Sequence, residues 1–405
     1  MKKIVILLFA ILLVGGNTIA QKKNVSIAKA RILSETPDTK AAKDAILLAL
    51  KDPTTKDEAS TWFMAGEVFY AMYSEQQKKQ WVSKKGDQAI MAQSLKSALG
   101  YYTMADSLDQ MPDEKGKIAP KFHSKIVSKV KDFQRGFTDA GSFYYEKKDY
   151  KNALNMFEIY LKYPSIKYMA NLGLEKDTLI PTITYYCGLA ATQAGNTKLA
   201  VKYYEIIKDK VDPKWVYSHL CDDYSALKDT QNLLRIYKLG AQKFPKDPFY
   251  MRSLINYYIN KGLTAEALIW INHAIEQDPK NAALWNVKGR IMENDKKLDE
   301  AKTYFQKAID LDPKNADALG NLGRIYFNHA VEELDRINKI RDDKKYRAEK
   351  LLLKKQFEIA LPYFEKAYSI NPNDRDCVIG LRGIYYNIGN DAKYQEMDAK
   401  IKQLK

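Results

Sequence analysis

The chain has 405 residues, of which 28% are charged and 46% are hydrophobic, with 13 prolines and 19 glycines. This composition is typical of a globular protein and excludes a disordered or collagen-like chain. Lysine and arginine number 65 against 50 aspartate and glutamate residues, so the formal net charge is +15. A basic balance favours acidic partners, anionic lipid headgroups or anionic polymers.

The first 20 residues have the organisation of a secretory signal. Lys2 and Lys3 precede an apolar run over residues 4–14, and small residues follow before a predicted cleavage site ahead of Gln21. An uncleaved anchor is the open alternative, although the run is shorter than the roughly 20 apolar residues of a membrane helix. We therefore predict an exported protein in the periplasm of a Gram-negative bacterium, and no nucleic-acid partner.

A pattern with a step of 34 residues organises the rest of the chain. Pro245, Pro279 and Pro313 lie one step apart, and residues 278–282 and 312–316 both read Asp-Pro-Lys-Asn-Ala. A fixed period of this length indicates a repeat architecture rather than separate globular domains.

Each unit reads as two amphipathic helices. Counted from Ala282, the first helix carries Trp285, Gly289 and Met292 on one stripe, and the second carries Ala301 and Phe305. Small residues let the helix backbones approach, bulky residues fill the space beside them, and the proline ends the second helix. Such a hairpin buries its apolar faces only against its neighbours.

This pattern resembles the tetratricopeptide repeat (TPR) family. The resemblance implies an all-α fold, a right-handed superhelical solenoid of stacked antiparallel helix hairpins. About eight repeats would occupy residues 61–405, after a lead-in over residues 21–60 with a helix from Ala41 to Leu50. In the second unit the first helix begins as early as Pro120. Three insertions are predicted near residues 76–96, 165–180 and 331–356.

Two of the insertions are interpreted as lengthened hairpins. In the first, Gly86 and the helix cap Asp87 mark the turn, and Trp81 lies in a basic tip that either docks a partner or packs back on the hairpin. In the third, leucines and isoleucines flank a basic turn. This arm either grips a partner or membrane surface through its tip, or is closed by its own leucines.

The resemblance further implies that one face of each first helix lines a concave groove. On that face lie Trp215 and Asp222 in the fourth unit, Phe249, Arg252 and Asn256 in the fifth, Asn286, Arg290 and Asn294 in the sixth, and Arg324, Phe327 and Asn328 in the seventh. The alternative for the asparagines is that they satisfy backbone groups near the helix ends.

Guanidinium and amide groups in a groove suit an extended peptide, because arginine grips carboxylates and asparagine bonds main-chain amides. Arg252 and Asn256 match half of a clamp that some TPR proteins use for a C-terminal carboxylate, whereas Val287 and Asp317 depart from its other half. We therefore predict a scaffold that binds an extended peptide or helix of a partner protein, without that clamp. The alternative is a factor held to anionic lipid or cell-wall polymer by its basic arm and tips.

No catalytic site, metal or cofactor is predicted, so the chain is not expected to be an enzyme. The four histidines fall at unrelated positions of different units, and no glycine-rich phosphate loop occurs. Cys187 and Cys221 occupy helix-packing positions and are interpreted as buried thiols. A disulfide between them is the alternative, but packed helix axes are too far apart to favour it.

Overall fold

The computed structural model describes residues 22–404, so the predicted signal in residues 1–20 lies outside the described part. Between residues 22 and 404 the regular structure is helical and contains no strand, which confirms the predicted all-α class. No helix in this range is long and apolar enough to cross a membrane. The chain divides after Leu233 into two compact units.

The first unit is built from antiparallel hairpins. Its α-helices are α1 (22–32), α2 (Thr39–Ala49), α3 (Ala59–Ser83), α4 (Gln88–Asp109), α5 (His123–Asp132), α6 (Gly136–Glu146), α7 (Tyr150–Lys162), α8 (Ile180–Gln193), α9 (Thr197–Ile207) and α10 (Pro213–Ala226), while α11 (Thr230–Lys243) runs through the division. Helices α3 and α4, α6 and α7, and α8 and α9 pair with one another, and α7 packs on α8.

The second unit continues the same arrangement. Its helices are α12 (Pro248–Asn260), α13 (Thr264–Gln277), α14 (Ala282–Asn294), α15 (Leu298–Leu311), α16 (Ala316–Ile337), α17 (Asp343–Ile370), α18 (Arg375–Ile388) and α19 (Asp391–Gln403). Each hairpin packs its second helix on the first helix of the next, from α13 on α14 to α17 on α18. The first helices α12, α14, α16 and α18 therefore run in the same direction.

The Asp-Pro-Lys-Asn-Ala segments end one hairpin and begin the next. Helix α13 ends at Gln277 and α15 at Leu311, each two residues before the proline. The asparagine then caps the following helix: the side chain of Asn281 accepts a hydrogen bond from the amide of Ala283, and that of Asn315 from Ala318. The sequence prediction of a helix end at Pro313 is confirmed.

Within residues 22–404, a glycine on the first helix faces an aromatic ring on the second in five hairpins. The pairs are Gly66 with Tyr102, Gly141 with Phe157, Gly188 with Tyr204, Gly289 with Phe305, and Gly323 with Phe364. A methyl group added to Gly289 would lie only 2.5 Å from a carbon of the Phe305 ring. The small residue therefore makes the room that the bulky one fills.

Two segments differ from the sequence prediction. The lead-in holds two helices, α1 and α2, rather than the single one predicted from Ala41 to Leu50, and Ala28 of α1 is fully buried in the core of the first unit. The long helix predicted from Pro120 is broken between α5 and α6. There the amides of Gly136 and Phe137 bond three residues back instead of four, and this tighter turn places the adjacent Phe133 and Gln134 both inside.

The insertions form the predicted longer hairpins and an irregular connection. Asp87 caps α4 by accepting a hydrogen bond from Ile90, but Trp81 does not pack back on the hairpin, because 70% of its surface is exposed. Residues 165–180 contain short 3-10 helices. In the arm of α16 and α17, Ile337, Leu353 and Phe357 are buried, whereas Leu351 and Leu352 face solvent.

Asp223 on α10 is a buried carboxylate of the first unit. Its side chain is 5% exposed, and its Oδ2 atom has no hydrogen-bond partner among residues 22–404. Burial and the neighbouring Asp222 charge raise the pKa of Asp223 to about 6, while a hydrogen bond from Thr192 acts in the opposite direction. Ionised Asp223 therefore destabilises the folded chain.

We expect Gly289→Ala to lower the free energy of unfolding by about 1–3 kcal/mol, because the added methyl displaces the Phe305 ring. Urea denaturation followed by circular dichroism measures the change. Gly320→Ala is the matched control, since Gly320 lies in α16 with no atom within 4 Å of its added methyl. Gly320→Ala should leave the free energy of unfolding unchanged or raise it, because alanine has a higher helix propensity than glycine. Equal losses in both variants would contradict the packing role of Gly289.

We expect Asp223→Asn to raise the melting temperature above about pH 6 and to have little effect near pH 4. The folded-state pKa of Asp223 is raised, so the destabilising charge is absent below the unfolded-state value near 4 and grows as the pH rises toward 6. Thermal melts between pH 4 and pH 8 test this sign. A stabilisation that is the same at both ends of the range would show that ionisation is not its cause.

Candidate functional site

Two clefts lie on either side of α14 in the second unit. The polar cleft, of about 700 Å³, lies between α14, α16 and α18, and its lining includes Asn286, Arg290, Asp317, Arg324, Phe327 and Asp376. The apolar cleft, of about 780 Å³, lies between α12, α13 and α14, and its lining includes Met251, Ile255, Ile271, Leu284 and Val287. Helix α14 thus presents one face to each cleft.

The two arginines of the polar cleft differ in charge compensation. Arg324 donates two hydrogen bonds to the carboxylate of Glu293, at 2.6 and 2.8 Å, and a third to the Asn321 side-chain oxygen. The Arg290 side chain is exposed and has no hydrogen bond or ion pair with any residue between 22 and 404. The cationic group available to a ligand in this cleft is therefore Arg290, while Arg324 links α16 to α14.

The asparagines of the predicted groove also take different roles. Asn286 is 7% exposed and accepts a hydrogen bond from the Asn321 amide at 3.0 Å, so it fastens α14 to α16. Asn328 is exposed and lines the polar cleft. Asn294 is exposed at the last residue of α14, outside the lining of both clefts. Asn328 is the one of these three that faces the cleft with an exposed amide.

Phe327 forms the floor of the polar cleft. Its ring is half-buried and packs edge-on against Phe357 and Phe364, with ring centres 5.7 and 6.3 Å apart. A methyl group added to Gly383 of α18 would meet the same ring at 2.9 Å. Phe327 therefore joins α16, α17 and α18 while also lining the cleft.

The end of the polar cleft formed by the starts of α16 and α18 is acidic. Asp317 lies in the first turn of α16, and Asp376 in the first turn of α18. Asp374 caps α18 by accepting hydrogen bonds from the amides of Asp376 and Cys377. The cleft is therefore dipolar, with Arg290 near the other end of the helices.

The apolar cleft lies at a hairpin that lacks the glycine and aromatic pair. At the equivalent positions of α12 and α13 stand Ile255 and Ile271, which are buried and line the cleft. Leu284 and Val287 of α14 form the opposite wall and are half-buried. An isoleucine does not reach as far as a ring, so apolar space stays open between α12 and α14.

The remaining predicted site residues lie at the rim or apart. Arg252 and Asn256 are exposed at the edge of the apolar cleft, facing Val287. Phe249 is 38% exposed and packs edge-on against Tyr250. Trp215 and Asp222 are exposed on α10, in the first unit.

Helix α18 also lines the polar cleft, which the sequence prediction did not include. Cys377 and Gly380 line the polar cleft at the same repeat positions as the groove residues of α14 and α16, so the repeat contained this signal. Leu284 and Val287 were not predicted to line an apolar cleft, because the hydrophobic pattern assigns such residues to packing between helices. Their partial exposure follows from the isoleucines opposite.

No cluster of three or more histidine, cysteine or acidic residues suitable for a metal occurs between residues 22 and 404. Cys187, Cys221 and Cys377 are free and buried. Burial raises the pKa of the Cys221 and Cys377 thiols to about 12, so both are protonated at neutral pH. Cys187 and Cys221 pack between helices, and the Cys377 thiol donates a hydrogen bond to the Phe364 carbonyl oxygen at 3.3 Å.

Two family models match the chain, both described as tetratricopeptide repeat. One matches residues 282–315, which contain α14 and α15, and the other matches residues 304–341, which contain α16. Among curated proteins no sequence matches the chain.

Several solved structures resemble parts of the chain at low identity. A MamA structure from Desulfovibrio magneticus RS-1 is 16% identical, covering 49% of this chain and 97% of that one, with a TM-score of 0.32. A TPR repeats protein from Bacteroides fragilis NCTC 9343 is 17% identical over 66% of this chain and 98% of that one, with a TM-score of 0.29. PilW, a type IV pilus biogenesis factor, is 16% identical, covering 55% of this chain and 93% of that one, with a TM-score of 0.34.

Proposed function

This chain contains tetratricopeptide repeats, and we propose that it is an exported interaction scaffold that binds an extended segment of a partner protein across α14. The observation that carries this proposal is the pair of clefts on the two faces of that helix. One cleft has buried and half-buried apolar walls, and the other has the exposed Arg290, which has no ion pair within the described part of the chain. The proposal includes no catalytic step and no cofactor.

The width of α14 sets the spacing of the groups that the partner presents. A helix with its side chains is about 10 Å wide, and an extended chain advances about 3.3 Å per residue, so crossing α14 takes about three residues. We infer that the bound segment carries an aliphatic side chain for the apolar cleft and a carboxylate for Arg290 about three residues away. Burial of the aliphatic group supplies affinity, and the charged hydrogen bonds fix the register.

Export is the second part of the proposal. The support is the order of charges and apolar residues in residues 1–20 described above. A fusion of those residues to a reporter that is active only outside the cytoplasm tests it, with Lys2 and Lys3 both replaced by glutamate as the control. An inactive fusion with the natural residues contradicts export.

Selection of displayed random peptides against the purified chain tests the binding proposal. We expect the enriched peptides to contain an aliphatic and an acidic residue about three positions apart. Binding of the enriched peptides, measured by fluorescence anisotropy, should weaken about tenfold or more in Arg290→Ala, because a charged hydrogen bond is lost. Leu284→Glu should abolish it by placing a charge in the apolar cleft.

Lys307→Ala is the matched control, since Lys307 is an exposed cation on α15 outside both clefts. It should bind the enriched peptides as the unaltered chain does. The proposal fails when enriched peptides share no such pair of residues, or when Arg290→Ala and Leu284→Glu bind them undiminished.

A second candidate function, attachment to an anionic lipid surface, is favoured by the outward face of α17. Leu351, Leu352 and Ile359 are 63%, 56% and 45% exposed there. The basic residues around them are Lys344, Lys345, Arg347, Lys354 and Lys355. Exposed leucines within a basic helical face are typical of helices that lie on membranes.

Sedimentation with vesicles tests this second candidate. Vesicles containing an anionic phospholipid should carry the chain down, and neutral phosphatidylcholine vesicles should not. Binding should fall steeply by about 0.5 M salt, where exposed charges are screened within a few ångströms. Leu351→Ser with Leu352→Ser should reduce it without unfolding the chain, as both side chains are exposed. Equal sedimentation with neutral vesicles would exclude attachment through charge.

A further inference from the structure

The lengthened hairpin of the first unit overhangs α6 and encloses a third cleft, separate from those beside α14. Its volume is about 350 Å³, and its lining includes Tyr73, Gln77, Trp81, Asp139, Phe143 and Glu146. Residues of the insertion supply the α3 side of this cleft, which the typical repeat length would not provide. The insertion therefore builds a concave surface as well as a longer tip.

Two carboxylates and two helix ends give this cleft a negative potential. Asp139 and Glu146 of α6 supply two carboxylates, and no lysine or arginine is among the lining side chains. The Asp139 carboxylate has no ion pair or hydrogen bond with any residue between 22 and 404, and partial desolvation raises its pKa. Glu146 is the last residue of α6 and Trp81 lies in the last turn of α3, so the partial negative charges of two helix ends add to the carboxylates.

Aromatic rings complete the lining. Trp81 is 70% exposed, Phe143 is half-buried, and Tyr73 lies at the floor with its hydroxyl accepting a hydrogen bond from Gln77 at 2.8 Å. Burial and the charge of Asp139 raise the pKa of Tyr73 to about 12, so its ring stays neutral. The face of a ring attracts a cation, most strongly for tryptophan.

The basic residues of the hairpin tip do not fill this negative site. Lys79 donates to Glu75 on the same helix, and Lys84 and Lys85 are exposed beyond the end of α3. In a chain of net charge +15, this cleft combines two carboxylates that have no cationic partner among the described residues with the exposed ring of Trp81.

We propose that the cleft between α3, α4 and α6 binds the guanidinium group of an arginine from a partner polypeptide. Arginine fits better than lysine because its planar group stacks on an aromatic face while its edge donates to a carboxylate. Stacking on Trp81 with hydrogen bonds to Asp139 uses both features. This site is independent of the clefts beside α14.

The probes are three blocked peptides, acetyl-Gly-Xaa-Gly-amide, in which Xaa is arginine, lysine or the neutral analogue citrulline. Each is titrated to about 10 mM, a range suited to the weak binding of a single side chain. Binding is followed by the change in tryptophan fluorescence, and the same titration of Trp81→Phe subtracts the other four tryptophans of the chain. Arginine should bind most tightly, lysine less, and citrulline at least tenfold more weakly.

The variant Asp139→Asn with Glu146→Gln should lower the affinity for the arginine peptide at least tenfold. Both side chains are exposed, so the variant should retain its circular dichroism spectrum and melting temperature. Asp132→Asn, an exposed carboxylate of α5 outside the cleft, is the matched control and should bind normally. The same variants leave the clefts beside α14 intact, so failure here is separable from failure of the scaffold proposal.

Three results overturn the proposal. These are citrulline binding equal to arginine, undiminished binding by the variant without the two carboxylates, and no saturable fluorescence change with the arginine peptide.

Discussion

The contact between a glycine of one helix and an aromatic ring of its partner holds the hairpins together. In five hairpins the ring lies where a single methyl group would already collide, so the two helix backbones approach as closely as packing allows. The contact lies within one hairpin and sets how closely its two helices approach, so it also positions the outer faces of that hairpin. The next hairpin packs on those faces, as α15 packs on α16 and α17 on α18.

The candidate site lies where this contact is replaced. Ile255 and Ile271 stand in the places of glycine and ring, and the pair fills the space differently, leaving an apolar opening beside α14. At the other face of α14, Arg290 and Arg324 occupy equivalent repeat positions but differ in their ion pairs. Glu293 neutralises Arg324, so Arg290 alone presents its full charge. Departures from regular packing, rather than the repeat itself, therefore distinguish this surface.

The period of the sequence predicted the hairpins because helix position depends on residues close together in the chain. The spacing of small and bulky residues, with a proline after each second helix, was enough to predict helices α12 to α16. The break between α5 and α6 escaped prediction because no proline marks it, and its cause is the burial of Phe133 and Gln134 against other helices. A local sequence pattern does not show which residues will be buried against helices from elsewhere in the chain.

The site was predictable in part for the same reason. Repeat positions identified Arg290 and Asn328 as cleft residues, since the face of a helix follows from its period. They did not reveal that Asn286 is bonded to Asn321, or that Arg324 is paired with Glu293 one hairpin earlier. Those partners are 31 or more residues apart, and their contact depends on the angle between neighbouring hairpins.

Because α14 lies between two unlike clefts, a ligand would be selected only when it contacts both of them. Under the proposed function, each contact alone is weak, but a ligand that makes both gains the second without a new loss of translational freedom. A polypeptide with only one of the two groups would dissociate rapidly. The chain would then distinguish its ligands by the spacing between two common side chains rather than by the identity of either one.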